Sequence, residues 1–411
     1  MQKEIVIILF MIFVQVRCHA IDLTGSIFSH DPATITYDDS KYWHMYTAPG
    51  IGFAYSTNLT NWISSARHIF TPGANWKTNY PAWTITYFGT SNTDGNLWAP
   101  DIIYMNGAYY LYYSCSSFGS SKSAIGVVSS PSLSNPTWVD YGMVVNSSGL
   151  TTDINAIDPG LFRDTDGKIY MTYGSWFGGI GIVEIDSVTG LATTSVTHVY
   201  GGNHQSIEAP YLFKDRDYYY LVVNRGTCCD GVNSTYYITV GRSADIYGPY
   251  EGWRTILAKS GKYIGPGHFS IFRKGCHKYV STHYYDGNNN GFPTLDILKL
   301  TMEDDWPVLT RDFTFNDPCN TGILDFKAGN DDEVQIYPNP ALGGRFSLDL
   351  ANLKSFNDLD ISIYSLDGRQ TYHNVFSYSE KIEITSDLPQ GIYLVRVIQG
   401  NETYFKKLTG Y

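Results

Sequence analysis

Three carboxylates sit one or two places before prolines in stretches that resemble one another. They are Asp31 in Ser29-His30-Asp31-Pro32-Ala33, Asp158 in Ala156-Ile157-Asp158-Pro159-Gly160 and Glu208 in Ile207-Glu208-Ala209-Pro210. Leu97-Trp98-Ala99-Pro100-Asp101 and Gly265-Pro266-Gly267-His268 share the pattern. Two carboxyl groups on either side of a glycosidic bond can hydrolyse it, one as general acid and one as general base. Hydrolysis with inversion needs a separation of about 6.5–9.5 Å, which leaves room for the attacking water. A third carboxylate close to the acid raises its pKa by like-charge repulsion and keeps it protonated. Taken singly, an Asp before Pro is an ordinary turn or strand-start residue. Recurrence in one slot of several repeats argues for a shared task.

The elements that must position these groups follow from the spacing. The marking prolines, Pro32, Pro100, Pro159, Pro210 and Pro266, lie 51 to 68 residues apart, and each is followed by a polar turn and an aromatic strand. Alternation is clear in 102–113 and 218–223, and helical periodicity is almost absent up to about Leu324. Five such repeats, each of several strands, predict an all-β fold: a five-bladed β-propeller. The innermost strand of each blade lines a central channel. If the Pro-marked segments are those strands, Asp31, Asp101, Asp158, Glu208 and His268 converge near one axis.

The remainder of the chain reads as appendages. Residues 1–20 carry Lys3, an apolar run over 5–14 and a closing Cys18-His19-Ala20. The run falls short of the roughly 20 residues a membrane span needs, so the stretch reads as a cleaved secretory signal. The propeller then covers 21–324, an acidic linker 325–333, and a small β-sandwich of alternating strands 334–411, with a hairpin turn at Leu366-Asp367-Gly368-Arg369. With 39 acidic residues against 28 basic ones, the net charge of −11 excludes a nucleic-acid partner. Of six cysteines, Cys18 leaves with the signal. Pairing among Cys115, Cys228, Cys229, Cys276 and Cys319 stays open, with Cys276–Cys319 conceivable. Aromatics make up 15 % of the chain; they suit both a strand core and a sugar-binding groove.

Residues 21 to about 320 resemble the arabinanases of glycoside hydrolase family 43. The matching stretches include His30-Asp31-Pro32, Leu97-Trp98-Ala99-Pro100-Asp101, Phe118-Gly119-Ser120, Asn155-Ala156-Ile157-Asp158-Pro159, Tyr173-Gly174-Ser175-Trp176, Ile207-Glu208-Ala209-Pro210, Gly226-Thr227-Cys228-Cys229, Gly265-Pro266-Gly267-His268 and His283-Tyr284-Tyr285-Asp286. The resemblance implies a five-bladed propeller that hydrolyses α-1,5-linked arabinan with inversion. Asp31 matches the general base, Glu208 the general acid, and Asp158 the carboxylate that tunes and orients the acid. His268 matches a histidine beside a metal, usually Ca2+, that is otherwise largely water-coordinated. Substrate contacts are expected from Asp31, Trp98, Gly119, Asn155, Asp158, Ser175 and Trp176. Gly119 and Gly174 would let backbone approach the sugar. Asp101 would partner a channel histidine, and Phe269 would alter the channel floor.

The C-terminal stretch resembles the sorting domain read by the type IX secretion system of certain Gram-negative bacteria. It does so through Ile336-Tyr337-Pro338-Asn339-Pro340, Ile363-Tyr364-Ser365-Leu366-Asp367-Gly368-Arg369, Leu388-Pro389-Gln390-Gly391-Ile392-Tyr393 and Lys406-Lys407-Leu408. An appended carbohydrate-binding sandwich is the alternative. The expected protein is a secreted or cell-surface endo-arabinanase. Its partners are arabinan and the secretion machinery, with no stable membrane span. An exo-acting arabinofuranosidase, a β-xylosidase and a non-catalytic sugar-binding propeller are the alternatives.

Overall fold

In a computed structural model, residues 21–65, 67–70, 80–88, 96–315, 334–350, 353, 359–365, 370–376, 379–386, 388–399 and 402–410 are described. The expected signal (1–20), the linker and the 366–369 turn fall outside them. The chain divides into two compact units, Met1–Asp317 and Pro318–Tyr411.

The first unit is the five-bladed propeller. Blade 1 is built from Thr36–Asp38, Lys41–Tyr46, Gly52–Ser56 and Asn61–Ser64, with Thr24–Gly25 added in parallel at its outer edge. Blade 2 runs Asn96–Met105, Ala108–Ser116, Lys122–Ser130 and Val139–Ser148. Blade 3 follows with Gly160–Arg163, Ile169–Gly174, Ile180–Ile185 and Thr197–Tyr200, and blade 4 with Ile207–Asp215, Tyr218–Arg225, Tyr237–Ser243 and Glu251–Leu257. Blade 5 is Tyr263–Lys274, His277–Asp286, Phe292–Glu303 and Trp306–Thr310. Within each of blades 2 to 5 the strands pair in chain order, as an antiparallel meander. Tight turns join inner and second strands: Asp39-Ser40 and Asn106-Gly107 both take positive φ at both positions, the twist that suits a two-residue hairpin.

Period-two alternation explains the buried aromatics. Along the second strand of blade 2, Leu111 and Tyr113 pack towards blade 1 with Trp43 and Phe53, while Tyr110 and Tyr112 pack towards blade 3 with Leu161 and Met171. Five such cores fill the five spaces between blades, so each blade is apolar on both faces. Phe269 belongs to the core between blades 4 and 5, its ring 5.7 Å from that of Tyr211. It does not reach the channel floor, which corrects the expectation above.

The Pro-marked segments carry a second regularity. Asp31, Ala99, Asp158, Ala209 and His268 all have φ between 44° and 59°, a region that non-glycine residues rarely adopt. Three of the inner strands are bulged at these points. Each turned-out amide is taken by a side chain of the preceding blade. Ala99 N–H donates to Thr47 Oγ1 (2.7 Å), Asp158 N–H to Ser114 Oγ (2.9 Å) and Ala209 N–H to Asp158 Oδ2 (3.1 Å). His268 N–H donates to Asn224 Oδ1 (3.0 Å), and Asp31 N–H to His283 Nδ1 (3.1 Å). The circuit runs once round the ring and closes. Residues 27–29 close it a second time, pairing with Pro293–Leu295 of blade 5.

The second unit is a β-rich sandwich around Phe346, Leu348, Ile361, Ile363, Ile384, Val395, Val397 and Leu408, supplied by alternating strands. Asn339 accepts from Thr409 N–H and donates to the Lys407 carbonyl, which pins the final strand. Among the described residues, no helix is long and apolar enough to cross a membrane.

Candidate active site

The inner strands open into a cavity of about 540 Å³ at one end of the channel. Asp31, Asp158 and Glu208 line it together with Trp98, Gly119, Asn155, Ser175 and Trp176. Every expected catalytic and substrate-contacting side chain therefore faces one space. His268 is buried, with Nδ1 3.7 Å from Asp31 Oδ1, and is not among the lining residues. Asp101 is elsewhere. Its Oδ1 accepts from Thr34 N–H and its Oδ2 from Leu161 N–H, so it ties blades 1 and 3 to blade 2 and, among the described residues, bonds to no histidine. The reason is register: Pro100 precedes Asp101, whereas Pro32 and Pro159 follow Asp31 and Asp158, and Ala99 occupies the equivalent slot. Gly174 is displaced from its expected role as well. A Cβ there would fall 2.2 Å from the Gly179 carbonyl oxygen, so its demand comes from the neighbouring strand and not from a ligand.

Asp31 is held on one side and open on the other. Its Oδ2 accepts from Thr47 Oγ1 at 2.8 Å and lies 2.9 Å from His30 Nδ1. Thr47 Oγ1 also accepts the Ala99 amide, so its single proton points at Asp31. Oδ1 makes no hydrogen bond among the described residues. Burial works against the Asp31 charge, but His30, His268 and His283 outweigh it and hold the carboxyl well below the usual carboxylate range. His30 is pushed up in turn: burial lowers it, and the Asp31 charge more than compensates.

Glu208 stands in the opposite environment. Tyr236 Oη donates to Oε1 in a short contact, and Ser175 Oγ donates to Oε2 at 3.0 Å. Burial raises its pKa, the donors Tyr236 and Ser175 pull back, and the Asp31 charge raises it further. Burial, then the charges of Glu208 and Asp31, pushes Asp158 well above the ordinary carboxylate value. Asp158 also grips the amide that follows Glu208, so it places the acid mechanically. The backbone N–H of Trp176 donates to the Ile207 carbonyl, which ties that residue's main chain to the strand that carries Glu208.

Sequence reasoning left several contributors without a role. Cys228 and Cys229 are bonded to each other and line the cavity, which settles one pairing left open above. Cys276 is disulfide-bonded and Cys319 lies outside the described residues. Tyr236, Thr47, His30, Tyr285 and His283 carry most of the polar contacts, and no spacing rule singles them out. His30, Asp31 and His283 bring ligand atoms within 4.8 Å of one another. His283 Nδ1 accepts the Asp31 amide and His30 Nε2 meets Tyr285 Oη at 2.9 Å, while Asp31 Oδ1, His30 Nδ1 and His283 Nε2 make no hydrogen bond among the described residues.

Residues 24–307 match the family described as Glycosyl hydrolases family 43, and residues 335–409 match the Secretion system C-terminal sorting domain. The extracellular endo-α-(1→5)-L-arabinanase 1 of Bacillus subtilis (strain 168) is 39 % identical over 294 residues, covering 68 % of this chain and 86 % of that protein. The extracellular exo-α-(1→5)-L-arabinofuranosidase of Cellvibrio japonicus (strain Ueda107) is 34 % identical over 308 residues, covering 68 % and 85 %. Among solved structures, the endo-arabinanase of Bacillus licheniformis superposes with a TM-score of 0.63 at 34 % identity, covering 70 % of this chain and 99 % of that one.

Proposed function

The chain belongs to glycosyl hydrolase family 43, and from that membership we propose that it cleaves internal α-1,5-arabinofuranosidic bonds of arabinan with inversion. It is a secreted glycoside hydrolase acting on arabinan, and its C-terminal unit is a sorting domain that directs it out of the cell or to the cell surface. The observation that carries the mechanism is the division among three carboxylates in one cavity: Asp31 is held ionised while burial favours the protonated form of Glu208 and Asp158. Divergent environments of this kind assign a base and an acid. Asp31 Oδ1 takes the proton of the attacking water, and Glu208 gives its proton to the leaving oxygen. Asp158 orients Glu208 through the Ala209 amide. Trp98 and Trp176 offer flat apolar faces to the sugars, and Asn155, Gly119 and Ser175 line the same groove.

A calcium ion beside His268 belongs to the same proposal. The buried ring makes no hydrogen bond through its nitrogens among the described residues, so it has a lone pair to offer. That fits a single nitrogen ligand, with water completing an oxygen-rich shell. Bound there, the ion would add positive charge near Asp31; the proton transfers belong to the carboxyl groups.

Glu208→Gln and Asp31→Asn should each abolish release of arabino-oligosaccharides while the fold persists, and full activity in either variant would overturn the assignment. A second reading, exo-acting arabinofuranosidase, is favoured by the likeness to the C. japonicus protein. A time course on debranched arabinan separates the two, since a ladder of oligomers early in the digest marks endo action and arabinose alone marks exo action.

A further inference from the structure

We propose that His30 is the positioning residue of the general base, and that Tyr285, anchored on the amide of the Cys228–Cys229 disulfide, sets the side of the imidazole that faces Asp31. The inference rests on Asp31 being the base.

The chain of contacts has a direction. Cys229 N–H donates to Tyr285 Oη at 2.8 Å. The hydroxyl has one proton of its own, and among the described residues the acceptor it reaches is His30 Nε2, 2.9 Å away. With Nε2 taken as an acceptor, the ring proton of neutral His30 lies on Nδ1, which sits 2.9 Å from Asp31 Oδ2. The ring cannot easily turn away. It stacks on His283 with centroids 4.5 Å apart and planes 17° from parallel, and His283 is fixed in turn by the Asp31 amide. Cys229 itself has a φ of 65°, and its bond to Cys228 holds the loop that presents the amide. Nδ1 sits against Oδ2 as a close polar contact, off the line of a hydrogen bond, and the Thr47 hydroxyl donates to the same oxygen, so Oδ1 is left for the water. Links of this circuit span up to 255 residues of sequence.

Three variants of the full chain test the idea, each assayed for kcat and KM on linear arabinan and for its melting temperature. His30→Leu removes the Nδ1 donor, and kcat should fall about 100-fold, the loss expected from a misplaced reacting group, with KM nearly unchanged. His30→Asn returns an N–H close to the place of Nδ1, and most of kcat should come back. Tyr285→Phe keeps the imidazole but frees Nε2, and kcat should fall about 3- to 10-fold, the effect of losing one neutral hydrogen bond. If His30→Asn is as slow as His30→Leu, or if KM rises while kcat holds, His30 packs or binds sugar and the proposal is overturned. Asp31→Asn distinguishes the two levels of failure. An active Asp31→Asn removes the base assignment itself, whereas an inactive Asp31→Asn beside a fully active His30→Leu removes this inference alone.

Discussion

At the scale of the residue, the site depends on giving three like groups unlike surroundings. Asp31 has a histidine at one oxygen and two further imidazoles nearby, and stays charged. Asp158 and Glu208 are buried within each other's influence and are both pushed towards the protonated form, so they titrate as a pair. Asp158→Asn separates the two tasks given to Asp158. The amide side chain keeps an oxygen for the Ala209 N–H but removes the second carboxyl of the pair, whose charge, once the pair has lost one proton, opposes loss of the other. The acid's pKa should therefore fall, and the alkaline limb of the kcat/KM profile should move to lower pH, with kcat/KM down about 100-fold. An unmoved limb would mean that Asp158 acts only by holding the Ala209 amide. The three acids were legible because each lies one or two places before a recurring proline. Thr47, Tyr236 and Tyr285 were not, since their roles exist only once strands from different blades meet.

At the scale of the element, the inner strands do more than line a channel. Each bends at a residue of positive φ and hands an amide to the preceding blade, so strain at the site is offset by a bond between blades. The repeat and its period-two pattern were enough to expect five blades, because burial on both faces of the middle strands leaves an aromatic-rich signature. They were not enough to set register. A shift of one residue reverses the face a side chain points to, and Asp101 stands one place after its proline rather than one before, so the shared pattern alone puts it in the channel. Its observed contacts make a testable distinction. Asp101→Asn turns an NH2 towards one of two buried amides, so unfolding should become easier by about 1–3 kcal/mol. Turnover per folded molecule should match the parent, and a fall in kcat at full folding would put Asp101 back in the site.

At the scale of the whole molecule, catalysis and delivery belong to separate units. Among the described residues, the propeller's five cores draw on none from the second unit, and the core of the second unit draws on none from the propeller. Blade 1 and blade 5 close on each other through 27–29 and the Asp31 amide, so closure asks nothing of the C-terminal unit. All cavity-lining residues lie between His30 and Tyr236. Deleting 334–411 should therefore leave kcat/KM on linear arabinan unchanged in purified protein, while the truncated chain made in its own host should no longer reach the medium or the cell surface. Measuring arabinan hydrolysis by intact cells, culture fluid and lysate tests both halves of that expectation. Lower kcat/KM in the purified propeller would give the second unit a part in holding the polysaccharide, and unaltered export would take from it the role of an address.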